Sequence, residues 1–340
     1  MLDLSSADST IQLSVNSKRK LFTSVDLSKA PTLSAYQSLK GQIASSHGVL
    51  AANVVLGNGS DDLIERLARR DHGNSVLTIV PCFERLYEGP SKNANLVDTF
   101  QLDEGQEFKY TNTAHQDLLA KLRANEYSAL WICNPNNPTG EVISVSILEE
   151  LAIAVSPGKL IVDESFIEYL DNSVDKSAVL LINKHDNVIT LHSFSKTHGL
   201  AALRVGYSIS SIKLTEAMEK MGIMFGINSM AVEAARLELS DMTNTKNQVK
   251  IMQNRKNELL RSIEDIGEYK VVSHSNINLF MLKKKNENSI YDLLLANGIK
   301  SKSLAKMEGL KDKGYCRFRV PNNPLDAEQL IKVLQEIAIT

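Results

Sequence analysis

From residue 31 to residue 207, apolar runs of strand length alternate with stretches of helical periodicity, and that alternation leaves few architectures open. It predicts βαβ units, that is, an α/β fold in which a mainly parallel sheet carries helices on both faces. Strands are expected over 76–80, 128–133, 159–163, 188–192 and 205–209. A helix is expected where Leu33, Tyr36, Leu39 and Ile43 recur at helical spacing, with Gly48 as its stop. The strands at 128–133, 159–163 and 188–192 each run into a polar cluster, and open α/β sheets bind ligands at the C-terminal ends of their strands. The charged, proline-free stretch 230–266 predicts long helices. Beyond it, strands at Val271, 277–282 and 315–320 and helices at 290–297 and 325–339 predict a smaller α+β unit. The division expected is a large domain over 31–235 and a small domain built from 1–30 and 236–340.

A chain of 340 residues, 43% of them hydrophobic, can bury a core of that size. Its 38 basic residues are offset by 40 acidic ones, so no charge excess drives binding to a phosphate backbone and no nucleic-acid partner is expected. The three cysteines, Cys82, Cys133 and Cys316, are far apart and never form a CxxC pair, which argues against disulfides and thiolate metal sites. A reducing cytoplasm is the setting expected. The N-terminal MLDLSSADST lacks the basic and apolar regions of an export signal, and no apolar stretch reaches bilayer-spanning length, so no membrane partner is expected either.

Five segments carry chemistry. Leu56-Gly57-Asn58-Gly59-Ser60-Asp61-Asp62 precedes a helix with apolar Leu63, Ile64 and Leu67. Glycine lets backbone approach an anion, Ser60 is expected to cap the helix, and free N–H groups at a helix start hold phosphate. A third glycine and an acidic partner are missing, which disfavours a dinucleotide site. Phe83, after the strand at 76–80, can stack on a flat heterocycle or pack in the core. Asn134-Pro135-Asn136-Asn137-Pro138-Thr139-Gly140 forms a rigid turn, but turn chemistry does not account for its three asparagines. Asp163 ends a strand in acid, and a carboxylate buried there requires a cation. Ser193-Phe194-Ser195-Lys196, with Arg204 downstream, supplies two hydroxyls and a guanidinium beside one lysine, a second half for a phosphate site.

Taken together these segments meet the requirements of pyridoxal phosphate. That cofactor needs a lysine to form the imine, an anion facing its pyridine nitrogen, a phosphate cradle, a stacking face and a partner for its phenolic oxygen. The segments GNGSDDLI, NPNNPTG, VDESFIEY and SFSKTHGLAALRVGY resemble the motifs of class II aminotransferases of fold type I, most closely the histidinol-phosphate aminotransferase family. The resemblance extends to Ser275-Asn276-Ile277-Asn278 and to Cys316-Arg317-Phe318-Arg319-Val320. It implies that Lys196 carries the cofactor and that Asp163 pairs with the pyridinium. Asn137 would bond the phenolic oxygen and Phe83 would stack on the ring. Ser60, Asp61, Ser193, Ser195 and Arg204 would hold the phosphate, and Arg317 would clamp the substrate carboxylate. Arg319 is expected on the opposite face of its strand, in a structural role. The resemblance further implies ping-pong transfer between an amino donor and an oxo acceptor, and a homodimer.

The chain departs from this family at four places. Ser6-Ala7-Asp8-Ser9-Thr10-Ile11 stands where members carry an NENP-type segment lining the substrate pocket, and Ala30 where they carry a tyrosine that reaches the neighbouring subunit. Phe166 replaces a tyrosine that donates to the phenolic oxygen, which predicts a raised pKa for the cofactor's linkage to lysine. Lys302 lies near the position of an arginine that binds the substrate phosphate. The substrate therefore stays open between an amino acid and a phosphorylated amino compound. A lyase of the threonine-phosphate decarboxylase type is the nearest alternative activity, and a non-catalytic binding protein a more distant one.

Overall fold

The structure, a computed structural model, describes residues 1–8, 11–70, 74–94, 96–285 and 289–339. Its strands are β1 (Leu2–Asp3), β2 (Val54–Gly57), β3 (Ser75–Val80), β4 (Leu96–Gln101), β5 (Ala129–Cys133), β6 (Lys159–Asp163), β7 (Val188–Ser193), β8 (Gly206–Ser210), β9 (Tyr269–Val272), β10 (Leu279–Lys284), β11 (Ile299–Lys300), β12 (Lys302–Ser303) and β13 (Cys316–Arg319). A seven-stranded sheet in the order β2-β8-β7-β6-β5-β3-β4 occupies the centre. Only β8 runs against its neighbours; the other pairings are parallel. The five strands expected in this region are present, each end displaced by at most one residue. Continuous apolar runs identify them because both faces of a parallel sheet are covered.

Alternation along each strand divides the core in two. Leu77, Leu130, Ile132, Leu160 and Val162 face one layer, which includes the helices Leu33–His47, Asn112–Ala124 and Val145–Val155. Val76, Trp131, Ile161 and Ile189 face the other, beneath Ser60–Arg70 and Ile212–Glu219. The helix Leu33–His47 starts and stops where its sequence dictates. Thr32 Oγ1 accepts from the Ala35 N–H at 3.2 Å, and Gly48 takes the left-handed conformation at φ 66°. The two strands the periodicity did not reveal, β2 and β4, are the edges of the sheet. The four-residue β2 is too short to show a period, and β4 mixes polar with apolar residues.

A four-stranded antiparallel sheet, β12-β13-β10-β9, carries a separate core with Phe280 stacked on Phe318 at 5.3 Å. The helices Thr243–Ile266 and Pro324–Ile339 cover it. The stretch expected to be long helices divides into Ser229–Ser240 and Thr243–Ile266, because Asp241 turns the chain and its carboxylate accepts from the Thr243 N–H at 3.0 Å. β10 begins two residues later than expected for a related reason. Lys256, wholly buried in the long helix, donates to the carbonyls of Ser275, Ile277 and Leu279 at 2.7, 2.7 and 2.8 Å. Burial pulls this ammonium down towards a pKa of about 7, and the three carbonyls hold its proton in place. Among the described residues no helix is long and apolar enough to cross a membrane.

Lys256 thus fixes the 275–279 segment from the helix side. Lys256→Met keeps the bulk of the side chain but leaves three buried carbonyls unpaired. It is expected to lower unfolding free energy by about 3 kcal/mol, measured by chemical denaturation.

Candidate active site

The central strands β5, β6 and β7 end side by side, and their C-terminal extensions bring together residues remote in sequence. After β5, two of the three asparagines serve the turn itself. Asn134 exchanges two hydrogen bonds with the Ile143 backbone at 2.8 and 3.0 Å, and Asn136 donates to Pro81 O at 2.9 Å and Thr139 Oγ1 at 2.8 Å. Only Asn137 is left for other work. Its Oδ1 accepts from Arg317 Nη1 at 3.0 Å, which leaves the amide nitrogen as a donor.

At the end of β6, Asp163 is 2% exposed, and its Oδ1 accepts from the Ser165 N–H at 3.0 Å. Among the described residues no cation is bonded to it, and burial raises its pKa above the ordinary carboxylate value. A carboxylate in that position fits a protonated heterocyclic nitrogen. Glu164 is committed elsewhere: it accepts from Ser177 Oγ at 2.5 Å and from the Ala178 N–H at 2.6 Å, and burial pushes its pKa up to about 8.

Lys196 follows β7 in a turn begun by the Ser195 N–H, which donates to Ser193 Oγ at 3.2 Å. Its Nζ lies 3.3 Å from Asp8 Oδ1 and 5.6 Å from the centre of the buried Phe166 ring. Burial pulls the amine's pKa down, and the Asp8 carboxylate opposes that shift. The next residues anchor the turn. Thr197 Oγ1 donates to Glu168, His198 Nε2 lies 2.6 Å from Glu168 Oε2, and His198 Nδ1 lies 3.6 Å from Glu238 Oε1. Burial works against charge on His198, but the two carboxylates lift its pKa to about 9.

The phosphate-cradle residues converge on Gly206, which pairs with Gly57 of β2 on one side and Ser193 of β7 on the other. A Cβ at Gly206 would come within 2.8 Å of the Ser60 nitrogen, and one at Gly59, where φ is 80°, within 2.5 Å of the Arg204 guanidinium. Both glycines are therefore needed for a helix start and a guanidinium to share one anion. Ser60 does not cap the helix as expected; it is the first helical residue, so its N–H is among the donors without an intrahelical acceptor. Asp61 holds Arg204 Nη2 at 3.0 Å through its side chain.

From the smaller sheet, buried Arg317 donates to Asn137 and, at 2.9 Å, to Ser5 O, and among the described residues its Nε has no hydrogen-bond partner. Arg319 is not on the opposite face. Residues i and i+2 of a strand share a face, and Arg319 Nη2 donates to Asp3 O at 3.0 Å, beside the contact Arg317 makes with Ser5. Lys302 is the cross-strand neighbour of Arg317, and its ammonium lies 3.3 Å from Glu84 Oε1. Phe83, next to Glu84, is half-buried at the end of β3. The sequence reading did not single out Ser5, Asp8, Glu84, Glu168, His198 or Glu238. Of the departing N-terminal segment, Ser9 and Thr10 lie outside the described residues.

A half-buried lysine, a buried carboxylate, an anion cradle and a buried arginine near the C-terminal ends of the central strands define the site of a cofactor-dependent enzyme. The family described as aminotransferase class I and II matches residues 6–333, and the chain belongs to it. It is a pyridoxal-phosphate-dependent transaminase, and the residues present fit that cofactor. Among similar proteins, the histidinol-phosphate aminotransferase of Thermoanaerobacter pseudethanolicus is 29% identical over 305 residues, covering 89% of this chain and 83% of that protein. The solved histidinol-phosphate aminotransferase of Clostridium acetobutylicum matches with a TM-score of 0.88 at 21% identity, over 100% of this chain and 99% of that one. The solved L-threonine-O-3-phosphate decarboxylase of Porphyromonas gingivalis matches with a TM-score of 0.80 at 19% identity, over 97% and 100% of the two chains. Both structural matches attest the fold.

Gly59→Ala adds a carbon against Arg204 at a backbone angle that L-residues disfavour. Affinity for pyridoxal phosphate, followed by absorbance titration, is expected to fall by roughly tenfold or more. Gly41→Ala, where nothing lies within 4 Å of the added carbon, is expected to bind normally.

Proposed function

We propose that this transaminase takes an α-amino acid or a phosphorylated amino compound as donor and an oxo acid or oxo compound as acceptor, and that Lys196 and Asp163 are its catalytic pair. The observation that carries this reading is the buried Asp163 carboxylate, bonded to no cation among the described residues, one strand away from the half-buried Lys196. When bound, pyridoxal phosphate supplies an electron sink for charge developing at the substrate Cα. Asp163 would hold a proton at the ring nitrogen, and the Lys196 amine would move the proton at the substrate Cα. Asn137 donates to the phenolic oxygen, and Phe83 covers one ring face. Ser60, Asp61, Ser193, Ser195 and Arg204 hold the phosphate. Arg317 receives the substrate carboxylate in a bidentate pair, and Lys302, its cross-strand neighbour, is placed for a second anionic group on the substrate.

In this reading residues 31–235 form the cofactor-binding domain, and 1–30 with 236–340 the domain that brings Arg317. The enzyme works in the cytoplasm, consistent with three free, buried thiols. It assembles as a homodimer, supported by Phe22, Leu27, Ile223 and Met224, which are apolar and 74 to 83% exposed. The likeness in fold to a decarboxylase makes carbon dioxide release the activity to be tested against transamination.

The expected results are specific. Purified protein shows a visible absorption band that one amine of a panel converts to the pyridoxamine form without releasing carbon dioxide, and Lys196→Ala has no such band. Asp163→Asn keeps the band and loses roughly 10²–10³-fold in turnover. Carbon dioxide release in place of amino transfer would overturn the transaminase reading in favour of the lyase. The band of the wild type is also expected to titrate at higher pH than that of Phe166→Tyr, because the tyrosine restores a donor to the phenolic oxygen.

A further inference from the structure

Residues 1–8 and 11–12, ahead of the helix Val15–Ser24, form a strap held on both sides of Asp8. β1 pairs with β11, the Leu4 N–H donates to Lys300 O at 2.8 Å, and Leu4 O accepts from the Arg319 N–H at 2.9 Å. Ser5 O accepts from Arg317, as described above. On the far side Ile11 is buried, with its carbonyl so close to Gly199 that a Cβ there would come within 2.1 Å. Gln12 O accepts from Asn244 and Gln248, each at 2.9 Å. Between these anchors Ser6 Oγ donates to Asp8 Oδ2 at 2.8 Å and accepts from the Asp8 N–H at 3.1 Å, so the carboxylate is oriented before it meets the lysine.

We propose that Asp8 is a positioning residue for Lys196: its carboxylate is the counter-ion that holds the free lysine ammonium over the site. This rests on the reading of Lys196 as the cofactor lysine. The charged groups facing the amine are Asp8 from the strap, Asp163 from β6 and Arg317 from β13, with Arg204 near Asp8. Arg317 disfavours the ammonium, and Asp163 is turned to the Ser165 N–H. Asp8 is the carboxylate in contact with the amine, at 3.3 Å. Its side chain is 56% exposed against 17% for the lysine, so it meets the half-buried amine from the solvent side. Two consequences follow. The contact fixes where the amine waits when it is not bound to the cofactor, and it retains a proton there that attack on the cofactor's carbonyl carbon requires the amine to lose. The same contact stabilises the ammonium formed each time Lys196 takes up a proton during turnover.

The test is the rate at which cofactor-free protein captures pyridoxal phosphate, read from the rise of the visible band as a function of pH, in wild type, Asp8→Asn and Asp8→Glu. Removing the counter-ion makes the amine easier to deprotonate. Asp8→Asn is therefore expected to capture cofactor roughly fivefold faster at neutral pH, with the midpoint of its rate profile at lower pH than wild type. Asp8→Glu is expected to return the midpoint towards wild type. A strap that only closes the site would change the plateau rate and leave the midpoint in place. Equal midpoints for wild type and Asp8→Asn overturn the proposal while leaving the Lys196 assignment intact. A wild-type protein that forms no band overturns both. If Asp8→Asn fails to fold, a wild-type midpoint that does not move between low and high salt counts against the ion pair in its place.

Discussion

Leaving a carboxylate charged inside a protein costs several kcal/mol unless a cation meets it, and Asp163 is buried at the end of the central strand, where the Ser165 N–H donates to it and no cation among the described residues is bonded to it. The sheet order gives that arrangement its use. Because β5, β6 and β7 are neighbours, Asn137, Asp163 and Lys196 leave adjacent strand ends and share one space. The antiparallel β8 then returns Gly206 between Gly57 and Ser193, which draws the two halves of the anion cradle together. These elements of the site are positioned by pairing in the sheet, and under the proposed function the Asp163 carboxylate is the group that the cofactor's ring nitrogen would meet.

A second layer of buried polar groups holds the first in place. Glu164 is tied to Ser177 and Ala178, so only one of the two adjacent acids at the end of β6 faces the site. Behind Lys196, Thr197 and His198 bind Glu168 and Glu238, and Thr245 Oγ1 donates to Glu238 from the long helix. The lysine turn, the segment that follows β6, the helix Ser229–Ser240 and the long helix over the small sheet thus share one polar network. Lys256 plays the corresponding part on the other side, fixing the 275–279 segment that leads into β10, the strand that pairs with the one bearing Arg317.

Much of this was legible in the sequence because buried parallel strands read as unbroken apolar runs and end in the residues that do chemistry. Lys196, Asp163, Asn137 and Arg204 stand next to such runs, and the structure brings them to one edge. What escaped detection depends on tertiary pairing. β2 and β4 lie at sheet edges and carry no clear period. Asp8 comes from a segment whose sequence departs from the family pattern, and only the pairing of β1 with β11 brings it to Lys196. Glu168, His198 and Glu238 lie far apart along the chain, and nothing in local spacing connects them. Arg319 shares a face of β13 with Arg317, as the two-residue period of a strand requires, and the two guanidiniums meet the neighbouring carbonyls of Asp3 and Ser5.

The central claim is that the amine of Lys196 is the covalent anchor of the cofactor. Borohydride reduction of the purified protein, followed by proteolysis and peptide mass spectrometry, tests it most directly. The account predicts a single phosphopyridoxyl mass on the peptide containing Lys196. A modification on any other lysine, or none on a protein that catalyses amino transfer, would contradict it.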